Sequence, residues 1–327
     1  MLRLSIVIPV YNNAAGLAEC LLALIPAAGA AREIIVVDDG STDDTTVVAS
    51  SFAVRLLRLE RNSGAGTARN HGAREATGDV FLFVDSDVVV APDTVSRVGR
   101  IFEDRPEVAA VFGSYDAAPR APGLVSQFRN LLHHFVHQQG DPDASTFWAG
   151  CGAIRRTVFE AVGGFDTGRY GRSIEDIELG YRMREAGHRI LLDKDLRVTH
   201  LKRWTLASFV RTDLLLRAVP WSRLILDRRS VLDHLNLKVE HRASVALVLL
   251  TVLALALAVL APPMLLLAAA ASLGLLLANR RLLAFFARSR GIAFAVATIP
   301  LIFIHYLASG LGYLWVRAGH PFAHAVT

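Results

Sequence analysis

Short apolar runs alternate with helical stretches along the first 120 residues of the chain. The apolar runs are rich in β-branched residues and predict strands at 4–10, 33–38, 54–59 and 80–85. The stretches between them predict helices, for example Ala14–Ile25 and Thr67–Ala76. Because strands that alternate with helices favour parallel pairing, this part predicts an α/β fold with a mostly parallel central sheet.

The last quarter of the chain has a different pattern. Residues 243–278 contain no charged side chain and are divided by Pro262 and Pro263, and residues 292–316 form another uncharged stretch. At a rise of about 1.5 Å per residue, each run approaches the ~30 Å thickness of a bilayer core. We therefore expect three transmembrane helices, at 243–261, 262–278 and 292–316. Two crossings with a re-entrant segment, or helices buried in a large soluble core, are the alternatives.

The charge is distributed unevenly between these parts. Residues 1–196 hold 20 basic and 26 acidic side chains. Residues 197–242 hold 10 basic and 4 acidic side chains, and residues 243–327 hold five arginines and no acidic residue. A nucleic-acid-binding domain carries its basic charge on the folded domain itself, so this distribution argues against a nucleic-acid partner. It favours a soluble domain seated on a membrane.

Other features of the composition exclude further classes. Hydrophobic residues make up 53% of the chain, which excludes a disordered protein. Only two cysteines are present, Cys20 and Cys151, too few for a secreted disulfide scaffold.

Basic residues flank the apolar runs and indicate a topology. Leu206–Leu237 combines apolar residues with arginines and Trp221, a composition typical of helices in the bilayer interface, so membrane lipids are expected partners. Lys238, Arg242 and the four arginines of an expected loop at 279–291 predict that both of these flanks are cytoplasmic. The chain opens with a strand-like run that lacks the features of a signal peptide. We expect a multi-pass protein of the cytoplasmic (inner) membrane, with its first domain in the cytoplasm.

Polar clusters follow three of the predicted strands, at Tyr11–Asn13, Asp38–Asp43 and Asp85–Asp87. Ligands of parallel sheets bind beyond the carboxyl ends of the strands, so three clusters at one edge predict a single site. Asp85 and Asp87 are suited to a divalent ion that bridges diphosphate oxygens, with a solvated turn as the alternative.

A glycine-rich segment, Gly64–Arg69, begins one of the predicted helices. It lacks the third glycine of a dinucleotide fingerprint and follows the third strand, which argues against a dinucleotide oxidoreductase. Arg69 in the first turn of the helix is suited to a diphosphate, because helix N-termini and guanidinium groups both favour phosphate.

Five segments together resemble family 2 glycosyltransferases, and the resemblance covers about residues 4–205. They are Ser5–Asn12, Val37–Asp43, Ala68–Asn70, Asp85–Asp87 and Ile174–Asp176. The resemblance implies a GT-A fold and an inverting transferase that uses a nucleotide-sugar, UDP-linked by default and GDP-linked as the alternative, with Mg²⁺ or Mn²⁺. We expect a nucleotide-sugar-binding half (1–120), an acceptor or catalytic half (121–205), interfacial helices (206–242) and a transmembrane domain (243–327).

The family pattern implies roles for the matching residues. Asp176 would be the catalytic base, with Glu175 beside it as a second acid. The nucleotide-sugar would contact Pro9, Tyr11, Asp38, Asp39, Arg69, Asp85 and Ser86. The metal would be held by Asp87, Asp85 and His200. In-line displacement at an anomeric carbon needs such a base on the acceptor side and a charge sink on the leaving diphosphate.

Acceptor or diphosphate contacts are expected from Gly150, Cys151, Arg203 and Trp204. The small residues follow aromatic ones and suit a floor for a sugar, with a glycine-rich structural turn as the alternative. Arg203 and Trp204 match the end of the Gln-x-x-Arg-Trp element of processive synthases, but His200 stands where glutamine is expected.

A helix predicted at Leu124–Gln139 places His133, His134 and His137 on the face opposite its apolar residues. The i,i+4 spacing of His133 and His137 is compatible with zinc, although the glutamate of an H-E-x-x-H motif is missing. The alternatives to zinc binding are a solvated or membrane-facing helix and contact with an acceptor phosphate. We expect the solvated or membrane-facing helix.

The function expected from these features is that of a membrane-anchored inverting glycosyltransferase. Its acceptor would be lipid-linked, either a polyprenyl phosphate or a glycolipid, since the basic segment would hold the site at the headgroup layer. A processive exopolysaccharide synthase and a non-catalytic nucleotide-sugar-binding assembly subunit are the alternatives.

Overall fold

The computed structural model describes residues 2–29, 31–170, 173–228 and 238–319. The chain divides into two compact units. The first unit consists of residues 1–121 and 137–202, and the second of residues 122–136 and 203–327.

A single sheet forms the framework of the first unit. Its strands are β1 (Leu4–Val10), β2 (Ala31–Asp38), β3 (Arg55–Arg58), β4 (Val80–Val84), β5 (Val88–Val90), β6 (Val108–Tyr115), β7 (Asp143–Ala144), β8 (Cys151–Arg155) and β9 (Arg189–His200). The order across the sheet is β3-β2-β1-β4-β8-β6-β9-β5, and β7 pairs with β9. The four strands predicted from the sequence form the β3-β2-β1-β4 part and pair in parallel. Antiparallel β8 joins β4 to β6, so the complete sheet is mixed.

Helices accompany this sheet along the chain. They are α1 (Ala14–Ala27), α2 (Thr45–Ser50), α3 (Ala65–Glu75), α4 (Thr94–Asp104), α5 (Leu124–Gln138), α6 (Arg156–Ala161) and α7 (Glu175–Glu185). Helix α5 begins in the second unit and ends in the first, and the other six belong to the first unit.

The central strands are continuous apolar runs because the sheet is covered there. Every residue of β1 and of β4 is buried. Strands covered on both faces read in this way, without polar alternation. The buried face of α1, with Leu17, Leu21 and Leu24, belongs to the same hydrophobic core and shows helical i, i+3 and i+4 spacing.

Besides the start of α5, the regular elements in the described part of the second unit are all helices. Its elements are α8 (Leu206–Arg211), a π-helix (Thr212–Ala218), α9 (Val219–Arg228), α10 (Val239–Leu257), α11 (Met264–Ala278), α12 (Arg280–Arg290), α13 (Ile292–Ala297) and α14 (Ile299–Arg317). The expected helical character of 206–237 is therefore present up to Arg228. The remaining positions of that segment, with Arg229, lie outside the described residues.

Within the described residues, two helical segments are long and apolar enough to cross a membrane. They are α10 and the stretch Ile292–Arg317, which contains α13 and α14. They correspond to the first and third of the expected transmembrane helices. The second expected helix is α11, which has 15 residues and counts as a crossing only together with α12, from which it is bent by 62°.

The segment 279–291, expected to be a loop, is instead helix α12. Leu282 and Phe286 are buried, whereas Arg281 and Arg288 are exposed. The four-residue spacing of the two apolar residues creates one apolar face, and this amphipathic pattern explains the helix. The four arginines interrupt the apolar composition of this region, but they leave its helical periodicity intact.

The close pairing of β6 and β9 depends on Gly113. A Cβ atom at this position would lie 2.0 Å from the carbonyl oxygen of Leu196, which is backbone and cannot move aside easily. We predict that Gly113→Ala lowers the free energy of unfolding by about 1–3 kcal/mol, as overpacking does elsewhere. Urea unfolding of the full chain in detergent measures the change.

Gly99 provides the matched control. It lies inside α4, and a Cβ atom added there would meet no other atom within 4 Å, so Gly99→Ala should raise stability by up to about 1 kcal/mol. Equal unfolding midpoints for the two variants would contradict the role given to Gly113.

Candidate active site

The carboxyl ends of β1, β2 and β4 meet at one edge of the sheet, and side-chain hydrogen bonds join the loops that follow them. Asn12 Oδ1 accepts a hydrogen bond from the backbone N–H of Thr42 at 2.8 Å. Asn13 Nδ2 donates to the hydroxyl oxygen of Ser86 at 3.1 Å. The three polar clusters found in the sequence therefore belong to one site, as the strand order requires.

Asp38 and Asp39 hold the loops of this edge in place. Buried Asp38 accepts a hydrogen bond from the Ser41 N–H at 3.0 Å. The two carboxylate oxygens of Asp39 accept hydrogen bonds from the N–H groups of Ser63 (2.8 Å) and Gly64 (2.7 Å). Gly64 has a φ of 94°, which favours glycine, and α3 begins at the next residue. Asp39 thus fixes the loop that leads into α3.

The other predicted donor-binding residues near β1 differ in accessibility. Pro9 is buried within β1, whereas the side chain of Tyr11 is exposed. A face of Tyr11 is therefore available for stacking on a nucleobase, and the contact itself stays a prediction.

Arg69 links two parts of the site that are far apart in sequence. Its Nη2 donates to Asp85 Oδ1 at 2.6 Å, and its Nη1 donates to Glu175 Oε1 at 2.9 Å. The Arg69 side chain is almost completely buried. Burial alone would lower its pKa, but the charges of Asp85, Glu175 and Asp176 raise the pKa above its ordinary value. The buried guanidinium therefore stays charged and holds the two carboxylates together.

Asp176 is the predicted catalytic base and lies in the first turn of α7. Its Oδ2 accepts a hydrogen bond from the Ala149 N–H at 3.1 Å, and its Oδ1 accepts one from Ile177 at 2.8 Å. Burial, and then the charge of Glu175, raise the pKa of Asp176 to about 6, although Arg69 and the two N–H groups oppose this. A carboxyl group with such a pKa is suited to proton transfer near neutral pH.

Asp87 and His200 lie side by side at the start of β5 and the end of β9. His200 Nε2 donates to Asp87 Oδ2 at 3.3 Å, and the imidazole ring stacks on Tyr115 with 4.3 Å between ring centroids. Burial works to raise the pKa of Asp87, but His200 and the charge of Lys202 hold it below its ordinary value. The Asp87 carboxylate is therefore ionised over the physiological range.

The metal prediction can be compared with this arrangement. Among the described residues, no group of three His, Cys, Asp or Glu side chains is already arranged to hold a metal ion. Asp85 is engaged by Arg69, and Asp87 by His200. The chemistry of the donor set nevertheless fits a divalent ion, since two carboxylates and an imidazole suit Mg²⁺ or Mn²⁺.

Gly150 and Cys151 were predicted to contact an acceptor. A Cβ atom on Gly150 would lie 2.3 Å from the indole of Trp148, so only glycine allows this ring to pack over the chain. Cys151 belongs to β8 and its thiol lies in the hydrophobic core, so an acceptor contact through this side chain is excluded by burial. Burial also raises the pKa of Cys151 to about 12. Cys20 is buried as well, and its thiol donates to the Asp85 carbonyl oxygen at 3.7 Å.

Arg203 and Trp204 belong to the second unit, whereas the residues described so far belong to the first. The backbone N–H of Trp204 donates to the hydroxyl oxygen of Ser126 at 2.8 Å. The guanidinium of Arg129 lies over the Trp204 ring, 5.6 Å from its centroid. Trp204 is thus a packed residue of its unit, and the acceptor roles of Arg203 and Trp204 stay predictions.

The histidines of α5 do not lie on a solvated face, contrary to expectation. His134 and His137 are buried. His137 Nδ1 bonds the Gly113 carbonyl oxygen at 3.1 Å, and His133 Nε2 bonds Arg217 at 2.7 Å. Because these two rings have separate partners, the zinc hypothesis gains no support from them.

Some residues of the site were missed in the sequence. Tyr115 stacks on His200, and Ala149 bonds Asp176 through its backbone. Tyr115 ends the apolar run Val108–Tyr115, which forms β6 and had the composition of a strand. The contact of Ala149 has no sequence signal, because a backbone N–H is present at every residue except proline.

Comparisons with known proteins bear on the family and the fold of the chain. Residues 5–163 match the family model described as "Glycosyl transferase family 2". An uncharacterized glycosyltransferase of Haemophilus influenzae is 32% identical over 187 residues, which are 54% of this chain and 60% of that protein. A glucosyl-dolichyl phosphate glucuronosyltransferase of Haloferax volcanii is 28% identical over 152 residues, which are 43% of this chain and 49% of that protein. The matched part of the chain thus spans less than two thirds of the length of the first relative and about half of the second.

A solved structure covers nearly the whole chain. It is a mannosyltransferase from Pyrobaculum calidifontis in complex with GDP-Man and Mn²⁺. The TM-score is 0.61 at 22% identity, and the match covers 97% of this chain and 88% of that one. At this identity the likeness shows the fold, and it confirms the expected GT-A fold.

The ion pairs of Arg69 should contribute strongly to stability. Its removal leaves Glu175, which is buried, without a counter-charge. We predict that Arg69→Gln lowers the free energy of unfolding by about 3–5 kcal/mol, and that Arg69→Gln/Glu175→Gln recovers part of the loss, because the double variant removes the unpaired charge. Urea unfolding of the full chain in detergent measures both.

Arg120→Gln serves as the control for this prediction. Arg120 pairs with Glu19 at 2.6 Å, but both side chains are about half exposed, so the loss should stay below about 1 kcal/mol. Similar losses for Arg69→Gln and Arg120→Gln would contradict the central position of Arg69.

Proposed function

We propose that this chain is a glycosyltransferase of family 2, an inverting enzyme that transfers a sugar from a nucleotide-sugar to a lipid-linked acceptor. The observation that carries the proposal is the bridge through Arg69. It connects Asp85, on the side predicted to bind the diphosphate, with Glu175 beside the predicted base Asp176. Donor and acceptor chemistry would thus take place on two sides of one buried cation.

The proposed reaction is a single displacement. An acceptor oxygen attacks the anomeric carbon while the bond from that carbon to the diphosphate breaks, and Asp176 takes the proton of the acceptor hydroxyl. The raised pKa of Asp176 supports this role. A hydroxyl acceptor needs this proton transfer, whereas a phosphate acceptor is largely ionised near neutral pH, with a second pKa of about 6. The site therefore favours a glycolipid hydroxyl over a bare polyprenyl phosphate.

The donor side would bind the nucleotide diphosphate. The Pyrobaculum mannosyltransferase is a complex with GDP-Man and Mn²⁺, which supports a nucleotide-sugar donor and a divalent metal here. Asp87 and His200, with Asp85, would hold the ion. When bound, such an ion would neutralise charge on the leaving diphosphate. Arg69, already charged and adjacent, would add to this stabilisation.

The lipid-linked acceptor is proposed from the second unit. Its helices α10 and α13–α14 are long and apolar enough to cross a membrane, and α12 carries arginines on an exposed face. The name of the Haloferax relative, a glucosyl-dolichyl phosphate glucuronosyltransferase, supports a lipid acceptor. We place the catalytic unit on the cytoplasmic face of the inner membrane, following the arginines near the apolar helices.

The base assignment can be tested by substitution. We predict that Asp176→Asn lowers kcat for sugar transfer by about 10²–10⁴-fold, because general base catalysis contributes that much, while donor binding persists. Nucleotide release across a donor panel, followed by mass spectrometry of the labelled lipid fraction, measures transfer. Titration calorimetry with the donor measures binding.

Asp104→Asn, at an exposed position near the end of α4, is the matched control and should transfer at the wild-type rate. Unchanged turnover in Asp176→Asn would contradict the base assignment. Label found only in water-soluble product would contradict the lipid acceptor, and polymer made from a single donor would indicate a processive synthase. Donor binding without nucleotide release by the wild type would indicate a non-catalytic subunit.

The pH profile gives an independent test of the base. Because Asp176 acts as a base only when ionised, kcat/KM at saturating metal should rise with pH to a plateau, with a midpoint near its pKa of about 6. Glu175→Gln removes a charge that raises this pKa, so the midpoint should move to lower pH. A midpoint that stays in place or rises in Glu175→Gln would contradict the coupling of the two acids.

A further inference from the structure

The second unit contains a cavity of about 370 Å³ that the proposed transfer reaction does not use. It lies among the π-helix, α9, α10 and α14. Its lining includes Asp213, Arg217, Trp221, His241, Arg242 and His305. The volume is within the range of about 300–1,000 Å³ that is typical of small-molecule sites.

The charges that line this cavity favour an anion. Asp213 supplies the one carboxylate among the lining residues that the structure describes. That carboxylate is already paired, with Arg129 Nη2 at 2.8 Å and with His305 Nδ1 at 2.6 Å. The lining therefore contains two guanidinium groups, those of Arg217 and Arg242, and this single carboxylate, which is already paired.

Trp221 supplies a further donor. Its side chain is more than nine-tenths buried, and its indole N–H has no hydrogen-bond partner among the described residues. Buried indole N–H groups usually have a partner, and leaving one without costs free energy. An acceptor oxygen on a ligand in the cavity would satisfy it.

The π-helix positions three of the lining residues, Ala218 and the two charged ones. It carries both Asp213 and Arg217, and π-helical turns are rare and are frequently found at functional sites. Helix α14 approaches it closely, since a Cβ atom on Gly312 would lie 2.6 Å from the Cβ atom of Ala218. This close contact leaves the wall of the cavity little freedom to collapse.

We propose that this cavity binds the phosphate headgroup of an anionic membrane lipid. Arginine, imidazole and indole donors suit phosphate oxygens. Two of the four surrounding elements, α10 and α14, belong to segments apolar enough to lie among acyl chains, and basic pockets between such helices bind lipid headgroups. The inference rests on the proposed membrane position of this unit, and it does not depend on which acceptor the enzyme uses.

Lipid binding to the full chain in detergent tests the proposal without any donor present. Native mass spectrometry would compare phosphatidic acid with diacylglycerol of the same acyl chains, a pair that differs only in the phosphate. We expect phosphatidic acid to bind at least tenfold more tightly. Arg217→Gln/Arg242→Gln should reduce its affinity at least tenfold. Trp221→Phe, which removes only the N–H donor and part of the ring, should reduce it severalfold.

Arg288→Gln is the matched control, since it removes an arginine from the exposed face of α12, and it should bind phosphatidic acid as the wild type does. Equal binding of the two lipids, or an equal loss in Arg288→Gln and the cavity variants, would overturn the proposal. Displacement of phosphatidic acid by an equal concentration of inorganic phosphate would show a site for the free ion and would overturn the assignment to a lipid. Because sugar transfer is not measured, failure here leaves the proposed reaction intact, and failure of the reaction leaves this result intact.

Discussion

The active-site edge depends on one buried cation. Arg69 comes from the first turn of α3, and its two partners, Asp85 and Glu175, follow β4 and begin α7. Without the guanidinium, buried Glu175 would lose its counter-charge, and burying an unpaired charge is costly. The same cation lowers the pKa of Asp176, against burial and Glu175, which raise it. Folding and proton affinity are therefore linked through a single side chain.

The sequence predicted those parts of the fold whose signals are local. The four parallel strands appear as apolar runs, and their polar ends follow from strand order, so Asp38, Asp85 and their neighbours could be grouped in advance. Strands β5 to β9 were not predicted from the sequence. Strands β5 and β7 have only three and two residues, and the sheet that contains all five mixes parallel with antiparallel pairs. A mixed sheet is set by pairing between distant segments, which no local pattern records.

For the site, too, the sequence indicated residue types but not the contacts that these residues make. Residues whose types suit the proposed chemistry, such as Asp87, Asp176 and His200, were predicted from the motifs. Their partners were not, because the N–H of Ala149 and the ring of Tyr115 become relevant only after folding. The predicted acceptor contact of Cys151 shows a related difficulty. A small residue beside glycines suits the wall of a binding site and a core strand equally well. Only the pairing of β8 with β4 shows that the Cys151 side chain belongs to the core.

The burial of both cysteines has a practical consequence for studying the topology of this protein. Cys20 and Cys151 are the only thiols of the chain, and burial raises the pKa of each. Since the thiolate is the reactive form, neither should react readily with alkylating reagents while the chain is folded. A cysteine introduced at an exposed position would therefore be the principal labelled group. Variants with one introduced cysteine each, made without removing the natural ones, can thus show by labelling from either side of a vesicle which surface faces which compartment.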